Sequence, residues 1–444
     1  MTHTEVREAL NQYEVIPSKK LGQNFLCDQN VASWIVDQLE IQPDDIVVEV
    51  GPGTGALTEF VVPKAKEVIL VEFDARLAER LKTIFAEVDH VTVHHIDAVR
   101  FDVRQLLPKG PIKFLGNLPY SSGGAILANF LQRPSLVQRA VVMLQKEFID
   151  RIVAKPRTKD YGILSLRMQA EWDSKPIKTV PPEAFYPKPL IDSTVMVVEP
   201  TKAEWPTYDH KLFDELIRRG FAQRRKMLRK AMPTHLDWGE VCQQLEITET
   251  CRAEELSLET WISATRLYDT HPLKNTPQNE QEIFDVVDEE DQVIRTETRE
   301  NVHAQNLLHR SVHVLVFNKN NEVFLQKRSK LKDRNPGLWD SSAAGHLDSG
   351  ESYDSAANRE LEEELGITDA PLKFLSKLPP SERTGYEHVG LYLAAHKGAV
   401  KYCSSEIECG LWLSQDLINT WIEARPQDFA SGFLECWKQF YQSV

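Results

Sequence analysis

Val47-Val48-Glu49-Val50-Gly51-Pro52-Gly53-Thr54-Gly55 is an apolar strand that runs into a glycine-rich turn, and the helix-like stretch ALTEFVV (56–62) follows it. Glycines in such a turn let the backbone bend tightly and approach a ligand with no Cβ in the way. Alone, the turn suits NAD, FAD or S-adenosylmethionine, or is simply a tight turn. Outward from it, residues 31–200 alternate helical patterns with short β-branched runs: IVVEV (46–50), EVILVE (67–72), VTVHHID (91–97), KFLGN (113–117), AVVML (140–144) and STVMVVEP (193–200). This alternation predicts an α/β fold with a doubly wound, mainly parallel sheet. Residues 208–268 hold several helical patterns and no strand-like run, which predicts a small helical subdomain. The polar stretch HPLKNTPQNEQ (271–281) reads as a linker. Strand-like runs resume at Ile283 (IFDVVD, VHVLVF, VFLQKR), followed by a charged helix at 352–365, further strands and a terminal helix. The expected organisation is a catalytic domain at 1–205, a helical subdomain at 206–270, a linker at 271–282 and a last domain at 283–444.

A chain of 444 residues exceeds what one hydrophobic core serves, so two or three domains are expected. Its 42% hydrophobic, 27% charged and 9% aromatic residues exclude a fibrous or largely disordered chain. No run approaches the roughly 18 apolar residues of a membrane span, and the start MTHTEVREALNQYEV lacks the apolar core of a signal peptide. A cytoplasmic protein with no membrane partner is expected. Six scattered cysteines form neither a CxxC pair nor a disulfide framework. The net charge of -14 is unevenly spread: residues 1–270 carry 34 Lys and Arg against 38 Asp and Glu, the remainder 18 against 28. The first part contains basic runs, RRGFAQRRKMLRK (218–230) and Lys146, Arg151, Lys155, Arg157 and Lys159. These either track a phosphate backbone or face water as ordinary helix surfaces.

The ends of the successive strands carry the chemistry. Glu72 lies 21 residues past Gly51, close to the spacing of about 20 at which a carboxylate grips ribose hydroxyls. Asp97, after the third run, suits a cofactor's adenine amino group or a surface cap. The fourth run ends in Asn117-Leu118-Pro119-Tyr120. An adenine N6 is a poor nucleophile because its lone pair is delocalised into the ring. The Asn117 side-chain carbonyl and the backbone carbonyl of Leu118 or Pro119 suit the two N6 hydrogens, drawing that lone pair out of conjugation, with Tyr120 stacked on the base.

Over about residues 17–268 these segments resemble the bacterial rRNA adenine N6,N6-dimethyltransferase family. The matching stretches include KKLGQNFLCD (19–28), VVEVGPGTGALT, VILVEFD, HIDA, GNLPY, MLQKEFIDRIVAKPRTKDYGILS (143–165), PPEAFYPKPLIDSTV (181–195), FAQRRKMLRK (221–230) and RAEELSLETW (252–261). The resemblance implies a Rossmann-like methyltransferase sheet that dimethylates two adjacent adenosines near the 3′ end of small-subunit (16S) rRNA, within a pre-30S particle. It implies S-adenosylmethionine held by Asn24, Leu26, Gly51, Glu72, Asp97 and Asn117. Phe185 would clamp the flipped adenine opposite Tyr120, since a base in structured RNA must be extruded to react. Arg224, Arg225 and Lys226 would contact phosphates. One departure is Ser121-Ser122-Gly123-Gly124-Ala125, a more flexible continuation than the family's, which leaves mono- against dimethylation open.

Gly345–Ile367, GHLDSGESYDSAANRELEEELGI, fills every defined position of the Nudix pattern: Gly, five residues, Glu, seven residues, Arg-Glu, an aliphatic, any residue, Glu-Glu, any residue, Gly and an aliphatic. On a helix Glu360, Glu363 and Glu364 share one face. Carboxylates so crowded repel unless a hard cation neutralises them, and such a cation also grips diphosphate. Arg359 is placed to pair with Glu351. The resemblance to Nudix hydrolases implies an α/β/α domain with Mg2+ or Mn2+ on Glu360, Glu363 and Glu364, helped by Glu406 or Glu408, acting on a diphosphate-containing small molecule such as a nucleoside diphosphate derivative. Two alternatives stand beside this bifunctional enzyme: an RNA-binding ribosome assembly factor, and a Nudix half that serves as an idle interaction module.

Overall fold

A computed structural model of the chain describes residues 2–17, 22–271 and 278–443. It divides into two units, residues 1–205 with 213–264, and 206–212 with 265–444. Of the expected linker at 271–282, residues 272–277 lie outside the described residues.

Among the described residues, the first unit holds nine strands: β1 (Phe25–Leu26), β2 (Ile46–Val50), β3 (Glu67–Glu72), β4 (Val91–His95), β5 (Ile112–Asn117), β6 (Val137–Gln145), β7 (Trp172–Val180), β8 (Phe185–Tyr186) and β9 (Ser193–Pro200). Seven of them form one sheet in the order β4-β3-β2-β5-β6-β9-β7. The strands from β4 to β6 are parallel, and β9 and β7 add on antiparallel. β7 went unread in the sequence because Lys175, Pro176 and Lys178 break its apolar pattern; it is an edge strand, where a proline is tolerated. The central strands are buried on both faces. Val48, Val50 and Phe114 enter one core with Phe130, while Val47, Leu70 and Leu115 enter the other with Ile35 and Leu39. That is the period-2 alternation of a sheet covered on both sides, and it explains the unbroken apolar runs.

The strand order reverses between β2 and β5, so their carboxyl ends open a crevice, the position where open α/β sheets bind ligands. β1 pairs with β8 in a separate two-stranded sheet. Among the described residues of 206–270, helices occupy His210–Ala222, Trp238–Gln244 and Leu258–Tyr268, and the only β pairing is the isolated bridge Met227–Arg252.

The second unit contains the hairpin β10 (Ile283–Val287) and β11 (Val293–Thr298), then β12 (His309–Phe317), β13 (Val323–Arg328), β14 (Trp339–Asp340), β15 (Ala343–His346), β16 (Leu372–Leu378), β17 (Glu387–Ala395) and β18 (Ile407–Leu413). Their seven-stranded sheet runs β14-β13-β12-β17-β16, with β15 also on β12 and β18 also on β13. Only the β12–β17 pair is parallel. The helix Tyr353–Leu365 starts at Ser352, whose Oγ accepts the Ser355 N–H at 3.2 Å, and stops at Gly366 with φ +65°. Its Ala356, Ala357, Leu361 and Leu365 pack on Val312, Val314 and Val316 of β12. Phe317, on the opposite face by alternation, meets Phe440 of the helix Ser431–Ser443 with ring centroids 5.7 Å apart. Helices therefore cover both faces of the sheet, an α/β/α layering.

Candidate active sites

At the carboxyl ends of β2, β3 and β5 lies a cavity of about 250 Å3, lined among others by Asn24, Leu26, Gly51, Glu72, Asp97 and Asn117. Gly51 and Gly53 hold φ +67° and +57°, and a Cβ on Gly53 would sit 3.0 Å from the Phe25 ring. A side chain would be strained by the backbone conformation at both positions and, at Gly53, by contact as well. Glu72 is buried, and its oxygens accept the Gly53 N–H (3.0 Å) and the Asp74 N–H (2.8 Å), which fixes the carboxylate across the turn. Burial raises its pKa. Asp97 Oδ1 accepts the Val99 N–H at 2.9 Å. Glu49, unremarked in the sequence, lines the same cavity at 1% exposure. Burial pushes its pKa up to about 8 against a 2.8 Å hydrogen bond from Thr58 Oγ1. Its signal was a carboxylate inside an otherwise apolar strand. A buried carboxylate, a second acid at the rim and a side-chain-free turn fit a nucleoside-bearing cofactor.

Asn117 Nδ2 donates to the Asn24 backbone carbonyl at 3.1 Å. Facing a carbonyl, only the amide NH2 satisfies that contact, so Oδ1 is left as the acceptor. The Pro119 carbonyl accepts from Ser122 N (3.2 Å) and Gly123 N (2.7 Å). Tyr120 lines the cavity, and its hydroxyl lies 2.6 Å from Ser193 Oγ. Phe185 is 2% exposed, paired with Leu26 across the β1–β8 ladder and packed with Val180 and Val195. The Ser121–Ala125 stretch is also less free than its composition suggests. The helix Gly123–Leu131 begins there, and a Cβ on Gly123 would meet Leu144 Cδ2 at 2.3 Å. Those glycines serve close packing.

Arg224 Nε pairs with Glu254 at 2.5 Å, and Nη1 and Nη2 donate to the Lys159 and Thr158 carbonyls at 2.6 and 2.8 Å. That guanidinium ties the helical segment to the 158–159 loop. Arg225 and Lys226 are exposed.

In the second unit Glu360, Glu363, Glu364 and Glu406 line one polar cavity of about 830 Å3. Arg359 donates to Glu351 (3.1 and 2.9 Å), Glu360 (2.8 Å), Glu363 (3.1 Å) and the His346 carbonyl (2.8 Å), pinning the loop to the helix. Glu364 Oε2 accepts from Gln326 Nε2 and Ala344 N. Burial raises Glu360 to about 7, with Glu406 repelling it, and burial with repulsion from Glu406 and Glu360 raises Glu364 well above the carboxylate range. An all-oxygen set held at that cost fits a hard divalent cation. Glu406 is the acid at this cavity, its Oε2 2.9 Å from Lys332 Nζ; Glu408 pairs with Lys327 instead. A Cβ on Gly345 would fall 2.0 Å from Glu360 Oε1, so the carboxylate sits where only glycine permits.

A mainly parallel sheet with a nucleoside-fitting cavity at its switch point, and an Asn-Leu-Pro-Tyr turn at the rim, is the arrangement of a Rossmann-like methyltransferase. A family model described as "Ribosomal RNA adenine dimethylase" matches residues 17–270, and one described as "NUDIX domain" matches 307–428. The chain belongs to the ribosomal RNA adenine dimethylase family and carries a NUDIX domain after it. It is similar to "Ribosomal RNA small subunit methyltransferase A" of Chromobacterium violaceum, 39% identical over 256 residues, covering 57% of this chain and 97% of the relative. The protein of the same name from Francisella tularensis subsp. tularensis is 36% identical over 255 residues, again 57% and 97%. Among solved structures, a dimethyladenosine transferase from Plasmodium falciparum is 23% identical with a TM-score of 0.46, covering 54% of this chain and 95% of its own. Methyltransferases of the family use S-adenosylmethionine, and NUDIX domains typically need a divalent metal such as Mg2+. No helix among the described residues is long and apolar enough to cross a membrane.

Proposed function

We propose that this chain transfers methyl groups from S-adenosylmethionine to N6 of two adjacent adenosines near the 3′ end of small-subunit rRNA, on a pre-30S particle in the cytoplasm. Residues 1–205 form the catalytic domain and 206–270 the RNA-contacting one. The observation that supports this reading is that Asn117, whose Nδ2 donates to the Asn24 carbonyl, lines the same cavity as Glu72 and Asp97. S-adenosylmethionine supplies the electrophilic methyl group when bound. Glu72 takes the ribose hydroxyls, Asp97 the adenine amino group, and Asn24, Leu26 and Gly51 close on the cofactor. Asn117 Oδ1 and the Leu118 carbonyl accept the two N6 hydrogens, so the nitrogen lone pair is localised and aimed. Pro119 shapes the turn, and Tyr120, tethered to Ser193, offers its ring to the extruded base. Arg225 and Lys226 take phosphates.

The domain at 283–444 hydrolyses a diphosphate-containing small molecule, a nucleoside diphosphate derivative. Glu360, Glu363, Glu364 and Glu406 would hold Mg2+ or Mn2+, which would supply the positive charge that neutralises a diphosphate. Arg359 keeps Glu351, Glu360 and Glu363 in place.

Mapping methylated adenines in rRNA from cells with and without the gene tests the first reading. Loss of dimethylation at an adjacent pair near the small-subunit 3′ end is expected, and an unchanged map refutes it.

A further inference from the structure

Three histidines far apart in sequence converge beside the carboxylate cavity. His303 lies on the helix Arg299–Gln305, His309 begins β12 and His346 ends β15. One nitrogen from each lies within 4.8 Å of the others, and the ring centroids are 5.1–5.6 Å apart. Glu387, which begins β17 and stands in register with His309, puts Oε1 3.3 Å from His346 Nε2 and 3.5 Å from His309 Nε2. Phe284 walls the cluster, its centroid 4.7 Å from that of His346.

The outer nitrogens of His303 and His309 are committed and their inner ones make no hydrogen bond, whereas His346 Nδ1 accepts from Arg299 Nη1 at 3.3 Å and its Nε2 donates to Glu387 Oε1 at 3.3 Å. His303 Nδ1 faces Asp333 Oδ2 at 3.3 Å, and His309 Nδ1 donates to the Leu307 carbonyl at 2.8 Å. Each contact puts the proton on Nδ1 and a bare lone pair on Nε2, the arrangement by which a metal ligand's second nitrogen fixes its tautomer. The Nε2 atoms of both residues are buried with no hydrogen-bond partner. A buried acceptor without a partner is costly, and here two such atoms point into one space with the half-buried Glu387 carboxylate beside them. Packing against Phe284 accounts for the rings but not for the orientation of their lone pairs. The surrounding charge suits a cation as well: Glu282, Asp333 and Glu387 stand against Arg299 and Arg334.

We propose that His303, His309, His346 and Glu387 form a binding site for a transition-metal ion of the zinc class, separate from the carboxylate site and bordering the same cavity. Three imidazoles and one carboxylate make the four-coordinate set that Zn2+ accepts. Imidazole selects Zn2+ or Co2+ over Mg2+, whereas the all-oxygen site made by Glu360, Glu363, Glu364 and Glu406 has the opposite preference. Bonds of roughly 2.0–2.1 Å place tetrahedral ligand atoms about 3.3 Å apart, so small side-chain rotations close the site. His346 and Glu387 line the cavity that also holds the four glutamates, so a substrate there meets a nitrogen-bound ion on one wall and an oxygen-bound ion on the other.

The test titrates metal-free full-length chain with Co2+ in a large excess of Mg2+ and reads the visible absorption of four-coordinate cobalt. One equivalent per chain is expected, displaced by Zn2+. His303→Ala should lose it, Asp333→Asn should weaken it about 10–100-fold, and Glu363→Gln should retain it. The proposal is overturned if wild-type chain develops no cobalt bands, or if the bands survive His303→Ala and vanish with Glu363→Gln. Should the histidine variant fail to fold, zinc X-ray absorption on the wild-type chain decides. Imidazole scattering supports the site, and an all-oxygen shell overturns it.

Discussion

Removing the Asn117 side chain with Asn117→Ala should separate chemistry from binding. The substitution deletes Oδ1, the acceptor assigned to one N6 hydrogen, and the Nδ2 donor that satisfies the Asn24 carbonyl at 3.1 Å. The first loss acts on the transition state, where the N6–H bonds become more polar as the nitrogen gives up its lone pair. By analogy with deleting one preorganised hydrogen-bond group at a site of developing charge, this lowers kcat about 10²–10³-fold, or about 2.7–4 kcal/mol. The second loss leaves a half-buried carbonyl unmet, an added cost of about 1–3 kcal/mol that falls on the segment closing the cofactor cavity. It should appear as weaker cofactor binding. Neither term touches the exposed Arg225 and Lys226, so RNA affinity should stay within about threefold. The assay measures transfer of labelled methyl from S-adenosylmethionine to undermethylated small subunits, with kcat and KM resolved, and filter binding of RNA in parallel. A variant that keeps kcat within threefold of wild type would refute the role given to Asn117.

Glu49 retains in the folded state, up to about pH 8, a proton that the unfolded chain releases near 4.5. Wild-type stability therefore falls as pH rises from 4.5 to 8 and levels off above, so the Tm advantage of Glu49→Gln should widen across that window; parallel Tm curves for the cofactor-free proteins would contradict it. Glu360 must lose its proton to bind a metal, so Mg2+ affinity measured by calorimetry should weaken up to about tenfold per unit as pH drops below about 7; a flat profile between pH 6 and 8 would count against that carboxylate as a ligand. Charge reversal at Arg225 and Lys226 should weaken RNA binding and lower the salt slope by about 0.9 per lost phosphate contact, whereas Arg224→Ala should chiefly lower Tm. Equal salt slopes for the Arg224 and Arg225 variants would undo that distinction.

The features legible in the sequence were those whose cause is local. A glycine turn after an apolar strand, the 21-residue interval from Gly51 to Glu72, and carboxylates three and four apart before Gly366 each follow from backbone geometry within one element. Pairing of Arg359 with Glu351 was readable for the same reason, since eight residues of loop and helix fix both. Glu406 and Glu408 were inseparable because they stand two apart, Glu406 just before β18 and Glu408 within it; the distinction comes from Lys332 and Lys327, on other segments.

Where a side chain's partner arrives from distant sequence, only the tertiary structure decided. Phe185 faces the core because β8 pairs with β1 in a register that turns it inward, and Arg224 is spent on Glu254 and the 158–159 loop. The histidine cluster was invisible for the same reason, its members brought together by a helix and two strands. Residue order thus determined the strands, their turns and the chemistry offered at their ends. Packing determined which of those groups are still free to act, because burial and hydrogen bonding are settled by neighbours that the chain delivers from far along its length.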